Sequence, residues 1–108
     1  MSETIFNKND YRILESLIER KCNAPAASLT IKQLINLTDM SQSKVRSVKN
    51  NFLLMHFIEE GSKDSNNKTF FYTEKGLNHF KSVFAFTDDD IKEMMVNFEK
   101  SLSKIEEE

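Results

Sequence analysis

The run Ser41-Gln42-Ser43-Lys44-Val45-Arg46-Ser47-Val48-Lys49-Asn50-Asn51-Phe52 concentrates one kind of chemistry. Apart from two valines and a phenylalanine it holds only amide, hydroxyl and cationic side chains, the groups that reach phosphates and base edges in a DNA major groove. The Arg46 guanidinium can hold guanine through two parallel hydrogen bonds, and the amides of Gln42 or Asn50 can do the same with adenine. Ser41, Ser43, Lys44 and Lys49 suit phosphate oxygens, contacts that position a protein on a duplex without reading sequence. At about 100° per helical residue, Val45, Val48, Phe52 and Met55 form a narrow apolar stripe. Ser43, Arg46, Ser47 and Asn50 point away from it, and Gln42, Lys44 and Lys49 flank it.

Other chemistries find no support. His56 and His79 are far apart and, with the lone Cys22, make no recognised zinc pattern, so no metal and no cofactor are expected. Gly61 and Gly76 are the only glycines, too few for a phosphate-cradling loop, and no Gly-x-Ser-x-Gly elbow occurs. Asp88-Asp89-Asp90 diverge by about 100° each on a helix, which suits capping better than a magnesium site. Phe70, Phe71 and Tyr72 sit in a strand-like run and read as core, not as a stacking platform for bases. The sequence predicts a binding protein and not an enzyme. No apolar run approaches the roughly 18 residues of a membrane span, and the N-terminus lacks the pattern of a secretory signal, so a cytoplasmic location is expected.

The polar face needs elements to hold it. A first helix is predicted from about Asn9 to Lys21, with Tyr11, Leu14, Leu17 and Ile18 on one side, broken by Asn23-Ala24-Pro25-Ala26-Ala27. Ser28-Leu29-Thr30 is a candidate short strand. A second helix opens at Thr30, where Gln33 completes a capping-box spacing. Thr38-Asp39-Met40 forms a tight turn, and Ser41 caps a third helix running to near Met55. Phe57-Ile58-Glu59-Glu60 and Thr69-Phe70-Phe71-Tyr72-Thr73 flank a polar, turn-rich segment and read as a β-hairpin with a long tip. A fourth helix spans about Glu74 to Phe84, and Thr87 caps a fifth.

This order resembles a winged helix-turn-helix over residues 10–84: mainly α with a small β-hairpin, followed by an added C-terminal dimerisation helix. The segment from Ser41 to Phe52, with Met55-His56-Phe57-Ile58, is similar to the recognition helix and the start of the wing in MarR-like, PadR-like and ArsR-like regulators. Lys68-Thr69-Phe70-Phe71-Tyr72-Thr73-Glu74-Lys75-Gly76 resembles the returning wing strand and the Thr-x-x-Gly helix start of MarR- and PadR-like proteins. His56 departs from the pattern, since glycine usually stands where the chain leaves that helix in a left-handed conformation. The resemblance implies that the helix from Ser41 enters the major groove and that Gln42, Ser43, Lys44, Arg46, Ser47 and Asn50 face DNA. It places the hairpin tip along the backbone or minor groove, where Lys63 and Lys68 suit phosphates.

Residues 1–86 are thus expected to form the DNA-binding domain, and residues 87–108 an amphipathic dimerisation helix. Ile91, Met95, Phe98, Leu102 and Ile105, with Met94 alongside, follow heptad spacing. A two-fold homodimer is predicted through them, joined by Tyr11, Leu14 and Ile18 of the first helix. The net charge of −2 hides a split: residues 88–108 carry eight acids and three lysines, or −5, while residues 1–87 carry twelve cations and nine acids, or +3. The local field, not the total, governs attraction to a polyanion. Expected partners are double-stranded DNA at inverted or repeated sites and a second copy of the chain, with no membrane. The sequence assigns no small-molecule effector. A dimeric transcriptional repressor is the first reading. A centromere- or origin-binding protein of a plasmid or phage shares the same features, and a winged-helix protein-interaction module is a third reading.

Overall fold

A computed structural model describes residues 6–107, with side chains described through Ser103. The elements are α1 (Arg12–Glu19), β1 (Leu29–Thr30), α2 (Ile31–Thr38), α3 (Gln42–Leu54), β2 (Ile58–Glu60), β3 (Thr69–Tyr72), α4 (Glu74–Phe84) and α5 (Asp88–Glu107). The strands form one antiparallel sheet in the order β1-β3-β2, with Leu29 opposite Phe70 and Ile58 opposite Tyr72. The hairpin read from the sequence is therefore β2-β3, and the short Leu29–Thr30 run adds a third strand on its other side.

Local chemistry sets most boundaries. The Thr30 hydroxyl accepts from Gln33 N while the Gln33 side chain accepts from Thr30 N, a complete capping box for α2. Ser41 accepts from Lys44 N at 3.2 Å and starts α3. Thr73 does double duty: its hydroxyl accepts from Gly76 N and donates to the His56 carbonyl, tying α4 to the end of α3. Thr87 and Asp90 exchange a reciprocal pair of bonds at the head of α5, so Asp90 serves as a cap while Asp88 pairs with Lys81. The first helix is shorter than the periodicity predicts. It starts at Arg12 because Asn7 and Asp10 hold the preceding residues in a turn. It ends before Pro25 can act, because Lys21 turns left-handed (φ 57°) and Cys22 N reaches back to Leu17 O. His56 takes the same conformation (φ 61°) at the end of α3, with Phe57 N bonded to Phe52 O.

One core joins all layers. Leu14, Leu17 and Ile18 of α1, Leu34 of α2, Val45 and Phe52 of α3, Phe70 of β3 and Phe80 of α4 are essentially inaccessible. Of the residues expected at a dimer interface, Tyr11, Leu14, Ile18 and Ile91 are buried in the protomer's own core. Met94 and Met95 are partly buried against that core, and Phe98 is half-buried beneath the Arg20 guanidinium, 4.4 Å above its ring. Leu102 remains 46% exposed, and the side chain of Ile105 lies outside the described residues. Phe70 and Tyr72 are buried as expected of core aromatics, but Phe71, expected with them, is only half-buried because strand alternation turns it to the opposite face of β3. Among the described residues no helix is long and apolar enough to cross a membrane.

Candidate nucleic-acid interface

Val45, Val48 and Phe52 turn α3's narrow stripe into the core, with Leu53 packed beside them, and leave the opposite face exposed. Gln42, Ser43, Lys44, Arg46, Ser47 and Asn50 are exposed, and Lys49 is half-buried. The helix thus presents the side chains that the sequence singled out, on a backbone held by α2 and by β2. Ser41 is committed to capping.

Several of these groups are already organised. The Gln42 amide lies 3.1–3.3 Å from the Arg46 guanidinium, and the hydrogen-bonding chemistry assigns its oxygen to that side, where it accepts from Nε and Nη2. That i,i+4 contact steadies the guanidinium on the exposed face. Lys49 donates to Asn50 Oδ1 at 2.8 Å and lies 5.4 Å from the centroid of the Phe70 ring. Its ammonium is held below the usual lysine range, first by partial burial and then by the positive charges of Arg46 and Lys68, with Glu60 opposing. Cations gathered this closely on one face form a place where an anion is welcome.

Between α2, α3 and the hairpin tip runs a groove of about 870 Å³, lined by Lys32, Asn36, Arg46, Lys49, Asn67 and Lys68 among others. Lys68 is at its edge, 3.5 Å from Glu60, both exposed. Lys63 on the tip is exposed and makes no ion pair among the described residues. Lys44 behaves differently: its ammonium lies 3.3 Å from the buried Asp10 carboxylate. Lys32, Asn36, Asn66 and Asn67 escaped sequence reasoning. The first two follow from the outward side of a helix whose inner face is Ile31, Leu34 and Ile35. Nothing in the sequence says that the tip amides fold back toward α3. A second cleft carries the opposite charge, lined by Glu15, Glu19, Asp90 and Glu93 over Phe84, Met94 and Phe98, and it shares no lining residue with the groove.

No family model matches the chain. It is 38% identical over 77 residues to the DNA-binding protein TubR of Clostridium botulinum C phage, spanning 71% of this chain and 95% of that protein. The chain belongs to the TubR family. The solution structure of the DNA-binding TubR fragment from Clostridium botulinum matches with 36% identity and a TM-score of 0.59, covering 74% of this chain and 99% of the fragment. TubR from Bacillus megaterium pBM400 matches at 19% identity with a TM-score of 0.65, over 73% of this chain and 87% of that one. MepR, a transcription regulator of the Staphylococcus aureus multidrug efflux pump MepA, shares the fold at 16% identity and a TM-score of 0.59, over 93% of this chain and 80% of its own. The winged helix-turn-helix is therefore common to this TubR-family chain and to MarR-type regulators.

Proposed function

We propose that this chain is a sequence-specific double-stranded DNA-binding protein that acts as a homodimer in the cytoplasm, by binding and not by catalysis. In this reading α3 enters the major groove, where Arg46, Gln42 and Asn50 read bases. Ser43, Ser47, Lys49, Lys63 and Lys68 meet the phosphates around them. The observation that carries the reading is the exposed face of α3 facing the hairpin tip across a groove in which Arg46, Lys49 and Lys68 converge. The 38% identity to a protein named for DNA binding supports it. One such helix reads few base pairs, so two heads about 34 Å apart on an inverted repeat suit a domain of this size. The half-exposed seam of Met94, Met95, Phe98 and Leu102, continued by Ile105, is the proposed contact between copies.

Two purposes fit such a dimer. The phage source of the 38% identical relative favours a centromere- or origin-binding role over repression of a single promoter. Footprinting on the DNA around the chain's own gene separates them. A cluster of regularly repeated protected sites supports partition or replication, and one inverted repeat over a promoter supports repression. Absence of salt-dependent duplex binding would leave the protein-interaction module in front.

A further inference from the structure

Ahead of α1, Asn7 and Asp10 exchange hydrogen bonds: Asn7 N donates to Asp10 Oδ2 and Asp10 N to Asn7 Oδ1, both at 3.0 Å. The turn they lock lies against α3. The Phe6 ring is 4.8 Å from Phe52 and the Tyr11 ring 6.0 Å, while Asp10 meets Lys44. Lys44 and Phe52 are about 12 Å apart along the helix axis. The segment therefore braces the reading helix at two levels, one in the core and one on the exposed face.

Asp10 is the unexpected member. Its side chain is 4% exposed, against 46% for Lys44. Oδ2 takes the Asn7 amide, but Oδ1 is enclosed and accepts no hydrogen bond among the described residues. The Lys44 ammonium at 3.3 Å is the positive charge beside it. An enclosed carboxylate oxygen without a donor is costly unless a counter-charge stands beside it, and removing that charge is far costlier than breaking an exposed pair. Were Lys44 to swing out to a phosphate, it would strand this oxygen.

We propose that Asp10 is a positioning residue for DNA recognition. Through Lys44 it fixes the first turns of α3 at the angle from which Arg46 and Asn50 reach base edges. Lys44 is then an internal counter-ion and not the phosphate anchor that its sequence position suggests. The proposal rests on the DNA-binding reading and deepens it.

The test uses the full chain with Asp10→Asn, Lys44→Met, Lys44→Arg and the Asp10→Asn/Lys44→Met pair, on the footprinted duplex and a scrambled one across a salt series. Lys44→Met and Asp10→Asn each lower the ratio of specific to scrambled affinity about tenfold, the equivalent of one base contact. The pair loses no more than either alone, and Lys44→Arg keeps the ratio. The slope of log affinity against log salt stays unchanged in Lys44→Met. A slope shallower by about 0.9 per protomer, the mark of a lost phosphate contact, overturns the proposal. So do losses that multiply in the pair. Hydrogen exchange on the free protein separates this proposal from the reading beneath it. Amides in the first turns of α3 exchange faster in Lys44→Met and Asp10→Asn alike, whether or not duplex is bound, and unchanged exchange in Lys44→Met overturns the brace. Lys44→Arg keeps the counter-charge and the pair removes both charges, so the outcome does not hinge on either single charge-deleting variant folding.

Discussion

Arg46 and Lys63 make the cleanest contrast between reading and anchoring. Arg46 stands on α3 with its guanidinium steadied by Gln42, and Lys63 stands on the hairpin tip. Arg46→Met is expected to cost roughly 1–3 kcal/mol on the specific site and to relax preference at one base position. Lys63→Met is expected to weaken all duplexes alike and to reduce the salt slope by about 0.9 per protomer. Titrations on a panel of single-base variants check both, and equal effects on all sequences from Arg46→Met would remove it as a reader. Residue types and helical spacing were enough to nominate the α3 face. They could not show that Lys44 is tied to Asp10, because that pair joins an N-terminal turn to a helix more than thirty residues away. They also could not show Lys49 resting over Phe70, a contact that only the folded chain brings together.

The elements hold that face through two junctions with little slack. A Cβ built on Gly76 would lie 2.1 Å from the Phe57 carbonyl oxygen, a backbone atom that cannot move alone. Gly76→Ala is therefore expected to destabilise the fold by at least 1–3 kcal/mol, roughly the cost of overpacking, seen as a lowered thermal midpoint. An unchanged midpoint would mean that α4 and the start of β2 are not packed this closely. His79 is the other junction: its Nε2 lies 2.8 Å from the Tyr11 hydroxyl, and its ring stacks on Phe57 with centroids 4.2 Å apart. Burial lowers its pKa below the ordinary histidine value. A base with a depressed folded-state pKa resists charging in the native state. Its contribution is present above about pH 6.5 and is lost as pH falls through the folded-state value. His79→Gln is expected to remove this part of the acid sensitivity, read as a flatter stability curve between neutral and mildly acid pH than wild type. At this scale the caps were legible, since Thr30, Ser41 and Thr87 each announce a helix through side-chain chemistry, and Thr73 through the Thr-x-x-Gly start of the resembled pattern. The end of α1 was not, because a lysine in the left-handed region carries no sequence mark, whereas His56 was exposed by the glycine it replaces in the resembled pattern.

Among the described residues, the groove beside α3 and the cleft under α5 differ in charge and share no lining residue. Arg46, Lys49 and Lys68 line the groove beside α3, while Glu15, Glu19, Asp90 and Glu93 line the cleft under α5. Surface charges more than about 8–10 Å apart are largely screened at ordinary ionic strength, so the acid-rich end need not oppose DNA. The heptad pattern of α5 was readable, but its meaning was divided by packing. Ile91 fills the protomer core, and only the later positions reach a surface where a second copy can sit. Leu102→Glu is expected to yield monomers by sedimentation and to weaken operator binding by the 10²–10⁴-fold that linked heads typically provide. A variant that stays dimeric would place the interface elsewhere. Whether α3 and the hairpin grip duplex DNA is decided by equilibrium binding to the DNA upstream of the chain's own gene, measured against salt. The expected result is tight binding at low salt, a linear fall of log affinity with log salt, and loss of sequence preference in Arg46→Met. No salt-dependent duplex binding at low ionic strength would contradict it.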